Sequence, residues 1–76
     1  MTPSLPAVTS KKLIKALQRA GFVIERQRAS HISLAHPDKP DLVVVVPFHN
    51  TDLKKGMLKR ILKDADMDIK ELIELL

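Results

Sequence analysis

Three histidines, His31, His36 and His49, are the only side chains here whose ordinary pKa, about 6.5, lets them exchange a proton near neutrality. His31 lies in the stretch Ala29-Ser30-His31-Ile32-Ser33-Leu34-Ala35-His36. Its alternation reads as a strand with Ile32 and Leu34 on one face and His31, Ser33 and Ala35 on the other. A histidine aimed away from the core is a candidate general acid or base. The plainer alternative is an exposed strand residue with no task. His49 follows Pro47 in a loop placed to reach the same face, which makes it a candidate second acid–base group. His36 precedes Pro37 at a strand end and is expected to be a turn residue bonded to backbone. For Ser30 two uses are open, bonding the turn backbone or holding a phosphate oxygen.

A second kind of chemistry is written in the charges. Lys54, Lys55, Lys59, Arg60 and Lys63 give residues 54–63 a net +5 with no acid among them. That block opens a helix, where free backbone N–H groups and the helix dipole favour an anion. Lys54, Lys55 and Lys59 are therefore expected to contact phosphate, whereas Arg60 and Lys63 are as readily plain solvated charges. Residues 1–28 carry a second excess of +5, while segments 29–53 and 64–76 come to −2 and −4, within a total of +4. Two basic blocks flanking a neutral strand region suggest a polyanion-binding face with an acidic tail held elsewhere. Solvated surface lysines would explain the same charges without a partner.

The elements that must position these groups follow from periodicity. Thr9 stands as an N-cap before the helical stripe Leu13, Ile14, Leu17 and Ala20, and Gly21 ends that helix. Phe22 to Gln27 alternates as a half-buried strand, and the brief link at Arg28 and Ala29 fits only a hairpin into the His31 strand. His36 to Asp41 is a turn segment with Pro37 and Pro40, and Leu42 to Val46, closed by Pro47, is the third strand. Phe48 to Leu53 is a loop. Leu58, Ile61, Leu62 and Ala65 then mark a second amphipathic helix of about ten residues, irregular in its first turn or starting at Gly56. Asp68 and Glu71 form a capping box, with Met67 and Leu72 as its staple, for a third short helix bearing Ile69, Leu72, Ile73 and Leu76.

The order is thus α-β-β-β-α with an extra short C-terminal helix, an α+β fold with a three-stranded antiparallel sheet and helices on one face. Residues 1–8, with Pro3 and Pro6, read as an extended lead-in to a single domain over 9–76. A chain of 76 residues buries a small core, about 60% of its unfolded surface. With no cysteine, neither a disulfide framework nor a thiolate metal site is available, and three scattered histidines make no zinc set. No metal or other cofactor is expected. The lack of a signal peptide or a membrane-length apolar run points to the cytoplasm. Phe22 and Phe48 are the only aromatic residues, so base stacking on a sheet face is a poor fit.

Thr9-Ser10-Lys11-Lys12-Leu13-Ile14, Ala20-Gly21-Phe22, Ser30-His31, Val46-Pro47-Phe48-His49 and Asp52-Leu53-Lys54-Lys55-Gly56-Met57-Leu58 through Ile61-Leu62 resemble, in order and spacing, the HicA toxins of bacterial and archaeal type II toxin–antitoxin systems. The likeness runs from about Val8 to Leu76. It implies a fold similar to the double-stranded RNA-binding domain and ribosome-independent endonuclease cleavage of messenger RNA, which can be metal-independent because the 2′-hydroxyl is an internal nucleophile next to its own phosphate. The implied partner is a HicB-type antitoxin that covers the active face. It also implies that His31, at the place of the family's Gly-Ser-His motif, is catalytic. Arg26 or Arg28 and the lysines of the second helix would then clamp phosphate. Ala29 stands where the family usually has glycine and Met57 where it has threonine. The first bears on the hairpin that aims His31 if that position has positive φ, and the second on helix capping. A non-catalytic double-stranded RNA-binding module is the alternative function. It would use the same basic helix but have no use for His31. A structural protein docking a partner on its open sheet is a third, and it predicts little salt-dependent RNA affinity.

Overall fold

Leu13, Ile14 and Leu17 are buried along one side of helix α1 (Ser10–Arg19) in the computed structural model, which describes residues 4–49 and 51–76. Met1 to Pro3 of the expected lead-in and Asn50 of the expected loop lie outside the described residues. Thr9 caps α1 as its spacing predicts, its side chain accepting from the Lys12 N–H at 3.2 Å. At the other end Gly21, at φ 103°, reverses the chain. Its N–H donates to the Gln18 carbonyl and that of buried Phe22 to the Leu17 carbonyl, a Schellman closure.

Three strands follow, β1 (Val23–Arg28), β2 (His31–His36) and β3 (Lys39–Pro47), antiparallel and in the order β1-β2-β3. The inner face of the sheet is Ile32 and Leu34 on β2 and Val44 and Val46 on β3, all buried. Helix α2 (Lys55–Asp64) packs along β3 through Leu58, Ile61 and Leu62. Asp66, at φ 53°, closes α2 with the Schellman pattern that Gly21 gives α1, the Met67 N–H reaching the Leu62 carbonyl. Helix α3 (Ile69–Leu75) begins with the expected capping box: the Glu71 N–H donates to Asp68 Oδ1 at 2.7 Å. Met67 and Leu72 are buried beside it, and α3 packs against α1. All three helices add to one core on the inner side of the sheet, which leaves the outer side uncovered.

Three boundaries differ from the periodic reading. The first strand is Val23–Arg28 rather than Phe22 to Gln27, and all its residues are exposed rather than half-buried, because it is an edge strand with a bulge. Ile24 pairs with Leu34 and Arg26 with Ser33, so Glu25 is the extra residue. The third strand starts at Lys39, ahead of Pro40, because a second irregularity sets His36 against Lys39 and Ala35 against Val43. An outer strand tolerates proline, which has no N–H to give the ladder. Helix α2 begins at Lys55, so Gly56 lies within its first turn.

Candidate active site

Cross-strand partners in an antiparallel sheet point to the same face, so the pairing register defines the uncovered surface in three rows. Arg28, His31 and Pro47 form the first, Arg26, Ser33 and Val45 the second, and Val23, Ala35 and Val43 the third. His31 therefore sits on the central strand, exposed, between Arg28 and Pro47. The bulge at Glu25 matters here. Strict alternation would put Arg26 on the face of Ile24, whereas the extra residue lets Ile24 face inward while Arg26 and Arg28 join His31 outside. One end of the open face is thus cationic with a titratable imidazole, and the other is aliphatic.

The turn that aims His31 is strained and tied down. Ala29, the first of two residues linking Arg28 to His31, has φ 47°, a conformation that glycine adopts freely and that costs an L-residue roughly 1–2 kcal/mol. The carbonyl of Ser30 accepts from the Phe48 N–H at 2.5 Å, which fastens the turn to the end of β3. That bond is made by the main chain of Ser30; its side chain is exposed, and both uses stay open for the hydroxyl.

Ser10 is a residue the sequence reading passed over. It is fully buried, and its hydroxyl donates to the Pro47 carbonyl at 2.6 Å while accepting from the His49 N–H at 3.2 Å. The first turn of α1 thereby holds the segment that leaves β3. A serine directly after an N-cap threonine carries no sign of this role in the sequence. Its burial was the missing signal. His49 lies two residues past Pro47, the strand partner of His31, with its backbone fixed by Ser10. His36, as expected, is bonded to backbone: Nε2 meets the Ala20 carbonyl and Nδ1 accepts from the Asp38 N–H, both at 3.1 Å.

Beside His31 a pocket of about 250 Å³ lies between β3 and α2. Val43, Val45 and Pro47 form its sheet side. From α2 come Met57 and Ile61, with Arg60 and Asp64. Arg60 thus shares a pocket with His31, where the spacing left it open between a phosphate contact and a plain solvated charge. Lys59 is turned away from that pocket and lines a separate depression with Leu62 and Lys63. Lys54, the N-cap of α2, makes no side-chain capping bond, and Lys54 and Lys55 are exposed at the helix start. The register and the pocket bring together His31, Arg26, Arg28 and Arg60. Among the described residues, no cluster of three or more histidine, cysteine, aspartate or glutamate side chains could hold a metal ion.

A three-stranded antiparallel sheet with its helices on one face, in the order α-β-β-β-α-α, is the α+β architecture of the double-stranded RNA-binding domain, here with a histidine set among arginines on the uncovered side. The family model for the HicA toxin of bacterial toxin–antitoxin systems matches residues 10–67. The chain belongs to the HicA toxin family, and is the toxin of a toxin–antitoxin pair. No curated protein matches it. Among the described residues no helix is long and apolar enough to cross a membrane.

Proposed function

We propose that this toxin is an endoribonuclease that cuts messenger RNA and so stops translation, with His31 as its proton-transfer group, and that a HicB-type antitoxin restrains it. The observation that carries the reading is the row Arg28–His31–Pro47 on an uncovered sheet face, with Arg26 one row away. RNA holds its own nucleophile. When the 2′-oxygen attacks the adjacent phosphorus, the P–O5′ bond breaks and a 2′,3′-cyclic phosphate and a 5′-hydroxyl are formed. The reaction needs a base for the 2′-proton, an acid for the departing 5′-oxygen, and cations for the charge that builds on the phosphorane. An exposed imidazole suits either proton step, worth about 10²- to 10⁴-fold in rate. His49 is the candidate for the other step. Arg26 and Arg28 are the phosphate clamps nearest His31, and Lys54, Lys55 and Lys59 serve the flanking backbone.

No step in this chemistry requires a metal ion. The test is incubation of the purified protein with end-labelled messenger RNA in excess EDTA, followed by analysis of the product ends. Cyclic phosphate and 5′-hydroxyl ends are expected. Intact RNA that is nonetheless bound in a salt-sensitive way would favour the double-stranded RNA-binding module instead.

A further inference from the structure

The pocket beside His31 has a composition that phosphate binding alone leaves unexplained. A clamp for the RNA backbone calls for cations, yet this pocket carries a carboxylate, Asp64, one helical turn from Arg60, above aliphatic walls. Val43 and Val45, 55% and 46% exposed, leave their side chains open to water on that wall. At about 250 Å³ it lies just below the usual range of ligand sites, the scale of one flat heterocycle rather than a whole nucleotide. Bases drawn out of a stack are held between apolar side chains and read along their edges.

Hydrogen-bond patterns choose among the four bases. A carboxylate only accepts, and in bidentate fashion it needs two adjacent donors. Guanine alone offers them, as N1–H beside the 2-amino group. Adenine and cytosine set a ring acceptor next to their amino group, and uracil flanks its N–H with two carbonyls, so each would hold an acceptor against the Asp64 oxygens. Arginine is the complementary partner for the guanine O6 and N7 acceptors. Side chains four apart on a helix stand about 5–6 Å from each other, a separation that lets both meet one purine.

We infer that this pocket is a guanine subsite: the base next to the scissile phosphate sits against Val43, Val45 and Pro47, Asp64 accepts from its N1–H and 2-amino group, and Arg60 donates to O6 and N7. The inference rests on the ribonuclease reading for its place beside the cut, since His31 borders the same pocket. It makes the toxin selective for guanine at one side of the cleavage position, and it gives α2 a role in choosing substrate.

The experiment uses single-stranded oligoribonucleotides that differ only in the bases flanking one cleavable step, cut by the parent protein and by Asp64→Asn. Binding of the four nucleoside monophosphates to the parent protein is followed in parallel by NMR shifts of the Val43 and Val45 methyls. The parent is expected to favour guanine by about ten- to a hundredfold in kcat/KM, the discrimination of one good bidentate pair. Asp64→Asn should lose most of that preference while still cutting the adenine-containing oligonucleotide, because an amide pairs with adenine. Guanosine monophosphate should bind at the valine wall more tightly than the other three nucleotides. Cleavage that ignores the flanking bases, or a guanine preference unchanged in Asp64→Asn, would overturn the subsite while leaving the ribonuclease standing. A parent protein that cuts nothing but still selects guanosine monophosphate at this wall would sink the ribonuclease and keep the pocket.

Discussion

His31 and His36 bound the same strand and differ in what holds them. His36 has both ring nitrogens engaged with backbone, at Ala20 and Asp38, and its ring stands edge-on to Phe22 at 5.0 Å between centroids. It ties the end of α1 to the β2–β3 turn, and a Cβ on Gly21 would meet its Nε2 at 2.6 Å. Replacing it by alanine removes two hydrogen bonds and an aromatic contact, so His36→Ala should lower unfolding free energy by about 2 kcal/mol in urea titrations. RNA cleavage per folded molecule should be unchanged. Ser10→Ala should cost about 1–3 kcal/mol by the same measurement, because the Pro47 carbonyl and the His49 N–H lose their shared partner. Ala29 predicts the opposite sign. Its φ of 47° is strained for alanine, and Ala29→Gly should stabilise the fold by about 1 kcal/mol, seen as a higher midpoint in the same titration.

Among the elements, the edge strand decides what the open face contains. The extra residue Glu25 is accommodated by the bulge, so the pairing of Arg26, Gln27 and Arg28 with β2 does not depend on it. Deleting Glu25 should leave a regular hairpin with RNA affinity little changed, whereas deleting Gln27 should turn Arg26 inward and weaken binding. Filter-binding titrations of the two deletions check this. Helix ends were legible in the residues, since Thr9, Gly21 and the Asp68–Glu71 pair each have one natural use at their spacing. The outward aim of His31 was legible too, because Ile32 and Leu34 alternate with it on a central strand. The burial of β1 was not, as a bulge shifts the period by one residue and leaves no compositional mark. The valine run of β3 offered no polar residue to tell its faces apart. Only pairing with β2 shows that Val44 and Val46 face in and Val43 and Val45 face out. The role of Arg60 stayed open for a related reason: its helical angle toward the sheet depends on how α2 lies along β3.

At the scale of the whole molecule, a net charge of +4 and a face with Arg26, Arg28 and Arg60 around His31 suit a flexible polyanion. Single-stranded RNA held at its phosphates by Arg26, Arg28, Lys54, Lys55 and Lys59 should show log affinity falling against log salt with a slope of roughly −3.5, and each of these five replaced by alanine should reduce that slope by about 0.7. The uncovered sheet, with aliphatic Val23, Val43 and Val45 at one end, is where substrate and antitoxin would compete in the proposed cycle. Family membership makes this chain a toxin, and the chemistry proposed for it turns on His31. The most direct measurement is therefore the single-turnover rate of messenger RNA cleavage by the parent protein and by His31→Ala, with RNA affinity measured on both. A loss of at least a hundredfold in rate with affinity nearly intact is the predicted result. Equal cleavage rates would contradict the assignment of His31.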